Sequence, residues 1–175
     1  HLRPYLAGDE QPGPGRFPLL RLRGELAIVA LNTGRPSPPL MAHGTLGGRQ
    51  IRLAGALLDS AAARARFRLV MLHHAPCGAR VRWHNRLTDS AALAAMLARV
   101  GADVVVHGHL HRHVEERLPG PHGPIPVLGA ASSAFRDPRR PDRPAEYNLY
   151  RIEAGRLAAV QRRRHDPARG AFGPA

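Results

Sequence analysis

One stretch constrains the fold of this chain more than any other, because it joins a buried strand to a cluster of imidazoles. Residues 103–113 read Asp-Val-Val-Val-His-Gly-His-Leu-His-Arg-His. The β-branched run predicts a buried strand, and Gly108 after it lets the backbone approach a neighbour closely. Neutral imidazole commonly binds Zn, Fe or Mn. His109 and His111 share a face of an extended segment, so they suit two metal ions about 3.5–4 Å apart. An exposed histidine-rich loop is the alternative interpretation.

A second pair of imidazoles follows the preceding buried strand. Residues 67–72 form an apolar run, and it ends on His73-His74-Ala75-Pro76. Polar ligands directly after a strand are held rigidly by the sheet, so this position suits a functional site. The alternative is that one of the two histidines only caps the strand end through its own hydrogen bonds.

The whole chain is predicted to be a single α/β domain over residues 1–175. Apolar runs and turn signals predict the strands, and helical stripes predict the helices. The predicted strands cover 25–32, 67–72, 103–106, 114–118, 125–131, 147–153 and 156–163, and the predicted helices cover 50–63 and 89–100, the second capped by Thr88 or Asp89. Residues 1–24 are predicted to be a loop-rich segment leading into the fold, and residues 165–175 a flexible tail.

Charge and cysteine content narrow the possible partners. The formal net charge is +13, yet all 26 basic residues are arginine and they are scattered along the chain. A nucleic-acid surface requires clustering on one face, so we do not expect nucleic-acid binding. Cys77 is the only cysteine, which excludes an internal disulfide. No apolar run approaches the roughly 20 residues that span a bilayer, so we expect a cytoplasmic protein without membrane contact.

Taken together, the two histidine motifs resemble those in the C-terminal half of the calcineurin-like metallophosphoesterases. The order strand, His73-His74-x-Pro76, helix, strand, Gly108-His109-x-His111 matches in sequence and spacing. Further similarities are Ala-Leu-Asn-Thr-Gly-Arg-Pro at 30–36, Gly-Ala-x-Ser at 129–132 and Tyr-Asn-Leu-Tyr at 147–150. The likeness covers most of residues 25–165 and is strongest to the bacterial branch that includes cyclic-nucleotide phosphodiesterases.

This resemblance implies a fold, a cofactor and a reaction. Family members are β-sandwiches of two sheets flanked by helices, an αββα arrangement, of which this chain would be the C-terminal half. Two divalent ions (Mn, Fe, Zn or Co) clamp the phosphate and supply a hydroxide that attacks phosphorus in line. The implied substrate is a phosphate-ester small molecule or a nucleotide, cleaved as a phosphodiester or a phosphomonoester.

The resemblance also assigns roles residue by residue. His109 would bind one ion and His111 the other, and His73 would be the remaining imidazole ligand. His74 is the alternative ligand; otherwise it would orient a ligand or touch substrate in catalysis. Structural residues near the site would be Gly108, Pro76 and Asn32. His107 and His113 have no counterpart among the ligands, so we expect them to lie elsewhere or on the rim.

The chain departs from the family pattern at the motifs that carry the metal-binding carboxylates. Asp-x-His, Gly-Asp-x-x-Asp and Gly-Asn-His-Asp are absent from the sequence. We therefore expect the chain to begin just after the catalytic half of a phosphoesterase, and its own activity to be doubtful. The alternatives are a catalytically inactive basic domain that binds nucleic acid or acts as a scaffold, and a mononuclear zinc site built from the histidines alone.

Overall fold

Nine strands and three α-helices make up the described part of the chain. The computed structural model describes residues 8–9, 17–36, 38–78, 81–133 and 144–175. In chain order the elements are β1 Leu19–Arg23, β2 Leu26–Ala30, α1 Gly48–Asp59, α2 Ala61–Arg64, β3 Phe67–Met71, a 3₁₀ helix Trp83–Asn85, α3 Ser90–Val100, β4 Val104–His107, β5 Val114–Leu118, β6 Ile125–Gly129, β7 Glu146–Glu153, β8 Arg156–Asp166 and β9 Ala171–Pro174. Predictions for residues 1–7, 10–16 and 134–143 lie outside the described residues.

A six-stranded mixed sheet forms the centre of the fold. Its strand order is β1-β2-β3-β4-β6-β5. Strands β2, β3, β4 and β6 are parallel, whereas the edge strands β1 and β5 pair antiparallel. The inner strands are nearly continuous apolar runs because both faces of the sheet are covered. In β4, for example, Val105 faces the helices and Val104 faces the second sheet, and both are fully buried.

The helices α1 and α3 cover one face of this sheet. Apolar positions of α1 recur at helical spacing, so Ile51, Ala54 and Leu58 all point into the core. Gly55 lets the helices approach closely, since a Cβ there would lie 3.2 Å from Met96 Cγ. The predicted helix 50–63 is present as two helices, because Ser60 ends α1 and its hydroxyl accepts the Ala63 amide at the start of α2.

A three-stranded antiparallel sheet, in the order β7-β8-β9, packs on the opposite face. Tyr150, Ile152 and Leu157 from this sheet contact a second core centred on Phe67 and Val104. Strands β7 and β8 form the predicted hairpin through the turn at 154–155. The molecule therefore has a helical layer, a six-stranded layer and a three-stranded layer, and the prediction of a mixed α/β chain is confirmed.

Two predictions about the chain ends are wrong within the described residues. The loop-rich segment 1–24 contains strand β1, which pairs along its whole length with β2. The predicted tail 165–175 continues β8 to Asp166 and then forms β9, whose four residues pair with β8. Strand β9 is defined by its backbone hydrogen bonds to β8 rather than by an apolar run of its own, whereas β1 carries three leucines, of which Leu19 and Leu20 are buried. Among the described residues, no helix is both long and apolar enough to cross a membrane.

Candidate metal centre

The carboxyl ends of parallel strands meet at one edge of the six-stranded sheet. The pairs Ala30–Met71 and Met71–Val106 show that β2, β3 and β4 end nearly level with one another. Ligand sites in open α/β sheets lie outside such strand ends. The polar residues that follow the strands here are Asn32 and Thr33 after β2, His73 and His74 after β3, and His109 and His111 after β4.

His73 and His109 meet at this edge, although 36 positions separate them in the sequence. His109 Nδ1 lies 3.2 Å from His73 Nε2, and the ring centroids are 5.0 Å apart. The backbone holds this contact in place, because the Gly108 amide donates to the His73 carbonyl at 3.1 Å. The expected convergence of these two imidazoles is therefore present in the structure.

The turn after β4 holds two residues in the left-handed region of backbone conformation. His109 has φ 63° and His111 has φ 49°. This conformation is uncommon for residues other than glycine, and such strain is concentrated at functional sites. Gly108 itself does not need to be glycine for space, because an added Cβ would meet the His73 ring at an ordinary 3.6 Å. None of the described neighbours therefore requires glycine at position 108, and the role of Gly108 in letting the backbone approach a metal ion stays a prediction.

His74 is buried behind His109, and both of its ring nitrogens are engaged. Nε2 lies 3.0 Å from the Ala42 carbonyl, and Nδ1 lies 2.7 Å from the hydroxyl of Thr33. Because a carbonyl only accepts, Nε2 carries the proton and Nδ1 accepts from Thr33. The ring packs at 4.2 Å from the His109 ring. In this arrangement His74 packs against His109 and has no free lone pair. Contact of His74 with a metal or substrate would require one of its two hydrogen bonds to break, and it stays a prediction.

Gly44 provides the room for the His74 ring. A Cβ at this position would collide with the ring, approaching its Cγ to 2.6 Å. The Gly44 carbonyl also accepts hydrogen bonds from the amide and hydroxyl of Thr88. The segment around Gly44 is thereby fixed against the start of α3, and it holds His74 in one orientation.

Burial and mutual repulsion favour the neutral imidazoles. Desolvation lowers the pKa of His109 to about 4, and the charges of His74, His73 and His111 add to this effect, while the Asn85 backbone opposes it. Desolvation also lowers the pKa of His73, followed by the charge of His111. His111 therefore lies within electrostatic range of both rings. Neutral imidazole is the form that binds metal ions.

The donor set fits part of a metal site. With metal–nitrogen distances of about 2.1 Å, the 3.2 Å between His109 Nδ1 and His73 Nε2 would subtend roughly 100° at an ion. This angle lies between tetrahedral and octahedral values. Within residues 8–9, 17–36, 38–78, 81–133 and 144–175, however, no group of three or more His, Cys, Asp or Glu side chains is arranged to hold an ion. These residues thus offer a pair of imidazoles and not a complete site.

The remaining predicted residues differ in burial and in the partners that they contact. Asn32 is exposed and its side-chain oxygen accepts the Gly34 amide. Pro76, two positions after His74, is buried. His107 is buried at the end of β4, and His113 lies within electrostatic range of Arg162, Glu115 and Glu146.

Three polar residues organise this edge without having been predicted to do so. Thr33 holds His74, and the Gln50 side chain exchanges two hydrogen bonds with the Asn32 backbone at 2.8 and 2.9 Å. Asp89 precedes α3 but makes no side-chain cap there; it accepts the amides of Leu46 and Gly47 ahead of α1. The available signal was position, since Thr33 directly follows a strand parallel to the one that presents His74.

Comparison with protein-family models and with curated proteins finds no match to this chain.

Proposed function

We propose that this chain forms the imidazole half of the active site of a metal-dependent phosphoesterase. The observation that carries the proposal is the 3.2 Å approach of His109 Nδ1 and His73 Nε2 at the carboxyl edge of the sheet. His73 and His109 serve as ligands in this proposal, and the exposed His111, which lies within electrostatic range of both, serves a second ion. The proposed fold is the C-terminal half of an αββα sandwich.

Each residue has a defined task in the proposed reaction. Divalent ions of the class Mn, Fe, Zn or Co, once bound, stabilise charge on the phosphate and lower the pKa of water. His73 and His109 present neutral nitrogens toward one point. The hydrogen bonds of His74 to Thr33 and Ala42 keep its ring from rotating into that point, so His74 orients His109 by packing against it.

Carboxylate ligands are the part of a two-metal site that the described residues do not supply. The described residues contain no metal-binding group of three or more suitable side chains, and the sequence lacks Asp-x-His and Gly-Asn-His-Asp. The proposed site therefore takes its carboxylates from residues other than these. The proposed substrate is a phosphate-ester small molecule or a nucleotide.

Metal binding tests the first half of this proposal. Co²⁺ binding to the 175-residue chain is measured by calorimetry and by visible absorption. His73→Ala and His109→Ala should each weaken binding at least about tenfold, which corresponds to about 1.4 kcal/mol. His122→Ala is the matched control, because His122 is an exposed histidine in the turn between β5 and β6, away from the strand ends. Equal Co²⁺ affinity in all four proteins would contradict the proposed site.

Hydrolysis tests the second part of the proposal, the cleavage of a phosphate ester. The 175-residue chain alone should cleave a chromogenic phosphodiester at close to the uncatalysed rate in Mn²⁺. The chain is then expressed together with whatever sequence its coding region places before His1. Mn²⁺-dependent hydrolysis in that protein, lost in His109→Ala and in His111→Ala, is the expected result. Full activity in either variant would overturn the proposed roles.

A further inference from the structure

A third histidine, at the end of β4, is hydrogen-bonded to the turn that contains His109 and His111. His107 is the last residue of β4 and only 6% of it is exposed. Its Nδ1 lies 3.0 Å from the carbonyl oxygen of Gly108. Because that oxygen can only accept, Nδ1 must carry the ring proton. A buried imidazole thus donates to the peptide group that leads directly into His109.

Three hydrogen bonds hold this peptide segment on both sides. The Gly108 carbonyl accepts from His107 Nδ1 and also from the Leu110 amide at 2.7 Å. The Gly108 amide donates to the His73 carbonyl at 3.1 Å. The backbone leaves this segment at His109 with φ 63°. The strained conformation of His109 therefore begins at a carbonyl whose direction His107 controls.

Gly129 on the neighbouring strand provides the space that the His107 ring occupies. The two residues are register partners in the β4–β6 pair. A Cβ at Gly129 would lie 2.6 Å from His107 Cε1, 2.9 Å from His107 Nε2 and 2.9 Å from Val114 Cβ. Real Cβ atoms do not approach other atoms so closely, so only glycine at 129 is compatible with this ring position.

Packing alone does not explain a histidine at position 107. Its Nε2 is buried and makes no hydrogen bond within the described residues, and an unsatisfied buried polar atom is costly. A leucine would fill the space without that cost. A leucine cannot supply the hydrogen bond from Nδ1 to the Gly108 carbonyl, and this bond offsets part of the cost of the unpaired Nε2.

We infer that His107 is a positioning residue, which holds the Gly108 carbonyl and so fixes the turn that brings His109 to His73. The consequence for metal binding rests on the proposed function. The consequence for the turn does not, because it can be measured in the metal-free chain.

The tautomer of His107 gives the most direct test. Long-range ¹H–¹⁵N correlation spectra of the metal-free 175-residue chain should show His107 protonated at Nδ1. Protonation at Nε2 would overturn the inference. This measurement needs no metal, so it separates failure of the inference from failure of the proposed function.

Two amide variants then test the hydrogen bond. The side-chain nitrogen of His107→Asn falls near the position of Nδ1, whereas that of His107→Gln falls near Nε2. His107→Asn should keep the amide resonances of residues 109–111 close to those of the unmodified chain and Co²⁺ affinity within about threefold. His107→Gln, His107→Leu and Gly129→Ala should shift those resonances, and each should weaken Co²⁺ binding about tenfold or more.

Failure of the positioning role and failure of the proposed function give different results in these experiments. Equal turn resonances in His107→Asn and His107→Gln would contradict the positioning role, even if His107→Leu does not fold. Absence of Co²⁺ binding by the unmodified chain, with the Nδ1–H tautomer and the Asn–Gln difference both present, would contradict the proposed function and leave the positioning role supported.

Discussion

Thr33 Oγ1 and His74 Nδ1 lie 2.7 Å apart in a buried hydrogen bond that joins the segment after β2 to the segment after β3. Thr33 is 1% exposed and His74 is 5% exposed. His74 Nε2 donates to Ala42, so Nδ1 has no proton and depends on the threonine hydroxyl. The Ala42 carbonyl thus sets the tautomer of a ring that packs against His109, and the buried Thr33 hydroxyl satisfies its other nitrogen and holds its direction.

Replacing Thr33 with valine should destabilise the chain by leaving His74 Nδ1 buried and unpaired. Valine keeps the shape of threonine and removes the donor. We expect a loss of about 1–3 kcal/mol in the free energy of unfolding, measured by urea denaturation. Thr33→Ser keeps the hydroxyl and should lose only about 0.8 kcal/mol for the missing methyl group. A valine variant as stable as the serine variant would show that the hydrogen bond contributes nothing.

Elements with a side-chain pattern could be predicted from the sequence. The predicted strand 114–118 has the bounds of β5, the prediction 67–72 extends one residue beyond β3, and 103–106 is shifted by one residue at each end from β4. The runs 67–72 and 103–106 are rich in β-branched or apolar residues, whereas 114–118 alternates less clearly and is marked by the glycine- and proline-rich turn that follows it. Strand β9, Ala171–Pro174, has no such pattern. It exists because a short turn, in which Asp166 accepts the Ala168 amide, returns the backbone to β8.

The candidate site could be predicted only in part. The meeting of His73 and His109 follows from two adjacent parallel strands that end level, and the apolar runs before each histidine revealed those strands. The roles of His74 and His107 depend on which ring nitrogen faces which carbonyl. The positions of these two rings depend on the space left by Gly44 and Gly129. Both glycines lie in other parts of the sequence and meet the rings only in the folded chain.

Acidification should destabilise the metal-free chain before its carboxylates protonate. Burial is the largest cause that lowers the pKa of five histidines below 6.5, namely His73, His74, His107, His109 and His113. The unfolded chain then binds more protons than the folded chain as pH falls below 6.5, so stability decreases. For His109 the loss extends down to its pKa of about 4. Urea denaturation at pH 7.5, 6.0 and 5.0 checks this, and His109→Asn should flatten the profile.

Cys77 should be nearly inert toward alkylating reagents in the folded chain. Burial raises the pKa of its thiol from 9.0 to about 12, and a hydrogen bond and charge from Glu116 add to the effect. The thiolate is the nucleophile, so at pH 8 its fraction should be about a thousandfold lower than for an ordinary thiol. Iodoacetamide labelling followed by mass spectrometry should show little product until urea is added. Rapid labelling of the folded chain would contradict the raised pKa of this half-buried thiol.

Glu146 should contribute more to stability than any surface glutamate, because it fastens strand β7 to β8. Its side chain is 8% exposed and accepts hydrogen bonds from Arg162 at 3.0 Å and Arg164 at 2.8 Å. Its backbone amide donates to the Ser132 carbonyl, so the same residue ties the three-stranded sheet to the segment after β6. Charged hydrogen bonds of this kind contribute roughly 1.5–3 kcal/mol.

The matched control for Glu146 is Glu153, which ends the same strand and pairs with Arg151 while 60% of its side chain is exposed. Glu146→Ala should lower the free energy of unfolding by about 2 kcal/mol, whereas Glu153→Ala should lower it by about 0–1 kcal/mol because an exposed ion pair is screened by solvent. Adding salt should further reduce the contribution of Glu153 and change that of Glu146 little. Glu146→Gln, which keeps an oxygen acceptor, should fall between the unmodified chain and Glu146→Ala. Equal losses for the two alanine variants would mean that the buried ion cluster does not fasten the two strands.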